Sequence, residues 1–231
     1  MINKNILLKI TNLKKSFKEK NGNQVQIFED INLEIGRGEI LGIMGQSGCG
    51  KTTLLRTILR LEKADSGSVL FNSVNLLNID KHEERLKIRK YLRYVYQHPE
   101  ASLNPGISIE TTLLNTCRAY GHNLIERKID HSLELVGLPV SYKTKFPHEL
   151  SGGEKRRAAL ARALITEPKA IFADEPFSGL DKILQAKLIQ SFLNIQRKKE
   201  LSYVIVSHDK SIIKSISDRV FKMENGNLFQ I

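Results

Sequence analysis

The sequence has few cysteines, no long apolar run, and no aromatic residues spaced for stacking among its basic ones. Cys49 and Cys117 are the only cysteines in 231 residues and stand far apart, which argues against a disulfide framework or a cysteine-built metal cluster and points to a reducing cytoplasm. No stretch approaches the roughly 18 apolar residues that a membrane-spanning helix requires. The segment Met1 to Ile10 is broken by Asn3, Lys4, Asn5 and Lys9, so neither a secretory leader nor a membrane anchor is expected. Internal repeats, low-complexity tracts and a proline-rich linker are also missing, which leaves one domain or two closely joined lobes. The formal charge of +11 favours anionic partners without selecting one. Basic residues bunch at Lys14, Lys15, Lys18 and Lys20, at 81–93 and at 197–199. Without aromatic residues interleaved for base stacking, solvated surface lysines are the expected reading and a nucleic-acid partner is not.

Short apolar runs rich in Ile and Val are present, at Ile40 to Met44, Val69 to Phe71, Tyr91 to Tyr96, Ala170 to Ala173 and Tyr203 to Val206, and they read as buried strands. Helical patterns follow two of them, Thr52 to Leu61 after the first and Lys182 to Arg197 after the Ala170 run. This alternation predicts an α/β fold with a mostly parallel sheet. From 98 to 165 the periodicity turns helical, with segments Ile109 to Tyr120, Ile125 to Val136 and Lys155 to Ile165 broken by Pro105, Pro139 and Pro147, as expected for a helical subdomain inserted into the core. The first 35 residues alternate apolar positions with Asn and Gly turns and predict antiparallel strands. The expected organisation is a single domain over 1–231, with an α/β core and antiparallel strands over 1–97 and 166–231 and the helical part over 98–165.

The run Gly45-Gln46-Ser47-Gly48-Cys49-Gly50-Lys51-Thr52, followed by Thr53, has the composition and the strand-then-helix setting of a phosphate-binding loop. Its glycines let successive backbone N–H groups curl inward toward phosphate oxygens, where a Cβ would obstruct both the curl and the approach. Lys51 is then placed to reach the β- and γ-phosphates of ATP, and the Thr52 hydroxyl to ligate Mg²⁺. A second feature, Asp174-Glu175, closes the apolar run Ala170 to Ala173, at the strand end where α/β proteins place ligands. Asp174 is a candidate Mg²⁺ holder, and Glu175, on the other side of the strand, a candidate to orient or deprotonate an attacking water.

A third feature, Leu150-Ser151-Gly152-Gly153-Glu154 ahead of a helix, is a second anion-binding helix start where one ATP needs only one. This run resembles the signature of ABC ATPases, whose usual last residue is Gln rather than Glu. The resemblance covers essentially the whole chain and implies that nucleotide bound to one subunit's phosphate loop is capped by the other's signature. It also implies roles for four further residues. Phe17 would stack on adenine. Gln97 would contact Mg²⁺ and the attacking water, Asp181 in Ser178-Gly179-Leu180-Asp181 would lie in the loop that crosses the dimer interface, and His208 would be the switch histidine on the γ-phosphate.

One phosphate loop, and a stretch between Thr52 and Ser151 far too short for a long coiled-coil arm, favour a transporter subunit over a soluble nucleic-acid-associated ABC switch. The segment Gln97-His98-Pro99-Glu100-Ala101-Ser102-Leu103-Asn104-Pro105 resembles the peptide and nickel importer ATPases. A chain that stops at Ile231, without the C-terminal extension of many peptide-importing members, tilts the expectation toward nickel or other metal complexes. The resemblance further implies a second ATPase subunit, in a heterodimer rather than a homodimer, polytopic membrane permease subunits, a solute-binding protein outside, and a place on the cytoplasmic face of the membrane.

Overall fold

Residues 6–19, 22–96, 102–121 and 125–231 are described in a computed structural model. Along the chain they form β1 (Ile6–Lys18), β2 (Gln24–Gly36), β3 (Ile40–Met44), α1 (Lys51–Ile58), β4 (Ser66–Phe71), β5 (Val74–Asn75), α2 (His82–Tyr91) and β6 (Leu92–Val95). They continue as α3 (Ile109–Ala119), α4 (Ile125–Leu135), α5 (Gly152–Leu164), β7 (Ala170–Asp174), α6 (Lys182–Lys199), β8 (Ser202–Ser207), α7 (Lys210–Ile216), β9 (Arg219–Glu224) and β10 (Asn227–Gln230). Two units can be distinguished, one of residues up to Arg85 together with Ser202–Ile231, the other Leu86–Leu201.

In the first unit the N-terminal strands form an antiparallel sheet in the order β2-β1-β4-β5. The long pair β1 and β2 holds several bulges, which bend two 13-residue strands rather than leave them flat. Beside this sheet, β3 pairs in parallel with β8 and with β9, and β10 closes on β9 as an antiparallel hairpin. Strand β3 is buried at all five positions, as expected of a strand flanked on both edges and covered on its faces. Gly42 allows α7 to lie against it, since a Cβ there would sit 2.5 Å from both Ile213 Cγ2 and Ser217 Oγ. Helix α1 presents Leu54, Leu55 and Ile58 to the core, all fully buried.

The second unit pairs β6 with β7 in parallel, Tyr94 opposite Phe172 and Val95 opposite Ala173, and packs α3, α4 and α5 against one another. The predicted helix over Thr52 to Leu61 stops at Ile58 because the chain turns at Arg60, whose φ is 54°. Helix α2, His82–Tyr91, has no buried residue at all, and so carries no apolar stripe for a sequence pattern to reveal.

Candidate functional site

The phosphate loop leaves the end of β3 and enters α1 through three glycines whose roles differ. A Cβ at Gly45 would lie 2.5 Å from the Met223 carbonyl oxygen, and one at Gly50 would lie 2.7 Å from Ile27 Cγ2, so neighbouring backbone and side chains exclude any larger residue. Gly50, at φ 102°, also adopts a conformation that L side chains rarely reach. Gly48, at φ 79°, has open space on its Cβ side; there only the backbone turn demands glycine. Lys51 is buried at the start of α1, and its ammonium donates to the carbonyls of Gly45 at 2.9 Å and Gln46 at 2.8 Å, with Cys49 Sγ at 3.9 Å. The side chain thus curls back over its own loop, its charge held against the loop carbonyls. Gln46, Ser47 and Gly48 are exposed, and Thr52 and Thr53 half-buried.

The same unit carries Phe17 and His208. Phe17 is 39% exposed near the end of β1, so it is not a core residue, and the Lys15 ammonium lies over its ring, 4.3 Å from the centre. His208 is exposed just beyond the end of β8. The next residue, Asp209, caps α7, its Oδ1 accepting from the backbone N–H groups of Ser211 and Ile212.

In the second unit, β7 is buried along its whole length and ends on Asp174. The Tyr94 hydroxyl on β6 donates to Asp174 Oδ2 at 2.7 Å, whereas Asp174 Oδ1 is buried and accepts no hydrogen bond from the described residues. Glu175 is buried immediately past the strand with φ 48°, and its carbonyl accepts from Ser178 N–H and Oγ–H. A left-handed residue here ends β7 and starts the turn to Asp181. Asp181 is exposed and caps α6, its Oδ1 accepting from Ile183 and Leu184 N–H at 3.0 Å each.

Ser151 and Glu154 form a reciprocal cap on α5. The Ser151 hydroxyl accepts from Glu154 N–H at 3.3 Å, and the Glu154 carboxylate accepts from Ser151 N–H at 2.8 Å. Backbone and hydroxyl hydrogen bonds hold the Glu154 carboxyl below the usual carboxylate range, the Ser151 N–H first among them. A Cβ at Gly152 would meet nothing within 4 Å, and at Gly153 only Leu184 in ordinary contact. Arg156, one turn on, donates to the carbonyls of Pro176 and Ser178, so α5 and the loop before α6 are tied together.

Gly45 to Thr53, Phe17 and His208 thus lie in one unit, and Asp174, Glu175, Ser151 to Glu154 and Asp181 in the other. Gln97 lies outside the described residues. Tyr94 and Arg156 escaped the sequence reading. Arg156 stands in a basic run that reads as surface, and what joins Tyr94 to Asp174 is strand register, which no local pattern encodes. Among the described residues no group of three or more His, Cys, Asp or Glu is placed to hold a metal unaided, and no helix is long and apolar enough to cross a membrane.

A family model described as ABC transporter matches residues 28–178, a span that holds the phosphate loop, the capped start of α5 and the end of β7. The chain belongs to the ABC transporter family. This ABC ATPase is 36% identical over 238 residues to the oligopeptide transport ATP-binding protein AppF of Bacillus subtilis, covering 99% of this chain and 72% of that protein. It is 37% identical over 231 residues to OppF of the same organism, named likewise, covering 97% and 75% respectively. Among solved structures it superposes with a TM-score of 0.85, at 27% identity, on the dimeric ATP-binding cassette MJ0796 in a post-hydrolysis state with ADP and Pi bound, covering 96% of this chain and 98% of that one. The ABC ATPase is therefore an ATP-binding and ATP-hydrolysing transporter subunit with the expected α/β fold, a mostly parallel sheet and an antiparallel one.

Proposed function

We propose that this subunit powers the import of short peptides from the cytoplasmic face of the membrane, paired with a second, non-identical ATPase subunit beneath polytopic permeases that receive cargo from an external solute-binding protein. The observation that carries the cargo reading is a likeness to oligopeptide transport ATP-binding proteins that runs over nearly the whole chain rather than over the nucleotide motifs alone. It outweighs the tilt toward metal complexes. A transporter family match likewise leaves the nucleic-acid-associated switch without support.

In this reading Lys51 and the N–H groups of Gly45 to Thr53 hold the phosphates, Phe17 stacks on adenine, and His208 contacts the γ-phosphate. Glu175 orients the attacking water and accepts its proton, and Gln97 contacts the same water. Asp174, Thr52 and Gln97 offer a carboxylate, a hydroxyl and an amide oxygen, a donor set that suits a hard divalent cation. The buried, unpartnered Asp174 Oδ1 fits that use. Mg²⁺, when bound, offsets the negative charge of the phosphates. Ser151 to Glu154, with Asp181, face nucleotide held by the second subunit. Gly152 supports this, because a Cβ there would meet nothing among the described residues, whereas close approach from outside would require a glycine. The helical part over 98–165 would carry closure to the permease.

Uptake measured in a strain lacking this subunit, with labelled short peptides, nickel and chelated metals offered separately, tests the proposal. Loss of peptide uptake alone, restored by the wild-type chain but not by Lys51→Ala, is the expected result. Intact peptide uptake with loss of a metal would overturn the cargo.

A further inference from the structure

We infer that Tyr94 is a positioning residue for the divalent cation of the nucleotide site, acting through Asp174. The inference rests on the reading of Asp174 as a cation holder and names the residue that sets its geometry. Tyr94 stands opposite Phe172 in the parallel pair β6 and β7, so the two side chains share a face of the sheet. Asp174, two residues beyond Phe172, falls on that same face by the period of a strand. The diagonal spacing between such positions is long for most side chains but within reach of an aromatic one, and the phenol spans it, donating to Asp174 Oδ2 at 2.7 Å. The ring is itself braced by Tyr96, edge-on with centroids 4.6 Å apart.

A hydroxyl donates one proton to one oxygen. Tyr94 therefore satisfies Oδ2 and stops the carboxylate from rotating, while the buried Oδ1 has no donor among the described residues. A buried carboxylate oxygen without a partner is costly. This one is held at a fixed orientation, which is the arrangement of a ligand kept ready for a cation. Groups that orient a metal-binding carboxylate from behind typically govern metal affinity by 10- to 100-fold, so the hydroxyl of Tyr94, and not only Asp174, sets how tightly the cation is held.

The experiment compares wild type, Tyr94→Phe and Asp174→Asn, each with a non-hydrolysable ATP analogue. Mn²⁺ is titrated and the free ion is read by electron paramagnetic resonance, while binding of the same analogue in EDTA and thermal unfolding are measured alongside. Tyr94→Phe should weaken Mn²⁺ binding about 10-fold and raise the Mg²⁺ concentration for half-maximal ATPase by a similar factor. Metal-free nucleotide affinity should stay at the wild-type value, while the unfolding temperature falls because Asp174 Oδ2 loses its donor. If Tyr94→Phe keeps Mn²⁺ affinity within twofold while Asp174→Asn loses it, the inference fails and the reading of Asp174 stands. If Asp174→Asn also leaves Mn²⁺ affinity unchanged, both fail. A loss of metal-free nucleotide affinity in Tyr94→Phe equal to the loss of Mn²⁺ affinity would make Tyr94 a structural residue and overturn its positioning role.

Discussion

Glu154 stands where the signature of ABC ATPases usually ends in Gln, and the hydrogen bonds around it explain why the exchange is tolerated. A reciprocal helix cap needs an oxygen acceptor at this position, and carboxylate and amide supply it equally; here the Ser151 N–H is the group that uses it. The difference is one of charge. Because the folded chain holds the Glu154 carboxyl below its ordinary value, its ionised form contributes stability that is complete above the ordinary glutamate range near ~4.3 and is lost as pH falls through the lowered folded value. Glu154→Gln has no such dependence. The gap in unfolding temperature between wild type and this variant should therefore shift against wild type between about pH 6 and pH 3, which differential scanning fluorimetry at a series of pH values would read. In the proposed roles, Lys51 serves binding and Glu175 turnover, and variants of the two should separate these. Removing the Lys51 ammonium in Lys51→Ala should weaken ATP binding by roughly 10- to 100-fold, the scale of charge-assisted hydrogen bonds, and unchanged affinity by isothermal titration would sink its phosphate role. Glu175→Gln should bind ATP normally yet turn over at least about 10²-fold more slowly, the scale of lost general-base help, as measured by phosphate release. The loop around Lys51 was legible in the sequence because its glycines, lysine and threonines are adjacent there. The bond from Tyr94 to Asp174 was not, since it joins residues 80 apart.

Among the elements, those that the sequence declared most clearly were the ones buried on every side. Strands β3, β7 and β8 are buried at every position, and continuous apolar runs between turn residues mark them out. Helix α2 lies at the other extreme, and its packing gives the sequence nothing to display. The tie between the β2 to β3 turn and β9 was equally silent. Glu39 is almost wholly buried and accepts from the Gly36 N–H at 2.6 Å and from Arg219 Nε at 2.5 Å, while Arg219 also donates to the Glu34 carbonyl. As residues in a sequence, a glutamate in a turn and an arginine at a strand start read as surface. Arg219→Ala would leave the Glu39 carboxylate buried with its cation gone, and such losses run to about 3–5 kcal/mol. Chemical denaturation should show a destabilisation on this scale. A double variant, Glu39→Gln with Arg219→Ala, should recover part of it, because the stranded charge is then removed.

At the scale of the whole molecule, the proposed pairing brings the capped start of α5 to nucleotide held by a second subunit. Gly152 offers a test that leaves the fold alone. With open space on its Cβ side, Gly152→Val should alter unfolding free energy by no more than about 0.5 kcal/mol, as surface changes do. Yet ATP-driven association with the second subunit, followed by light scattering in a Glu175→Gln background, should fall about tenfold or more, the loss of about 1.4 kcal/mol of contact. Association at wild-type strength would show that Gly152 does not face a partner. The reciprocal cap between Ser151 and Glu154 has a further consequence, for the entropy of pairing. Association normally costs free energy for each loop it must immobilise, but here the Ser151 backbone is already fixed during folding by Glu154 of the same chain. If the pair closes as proposed, the Ser151 backbone need not be ordered in the process. On the proposed pairing, the heat and entropy of closure should then carry no contribution from ordering of the Ser151 backbone.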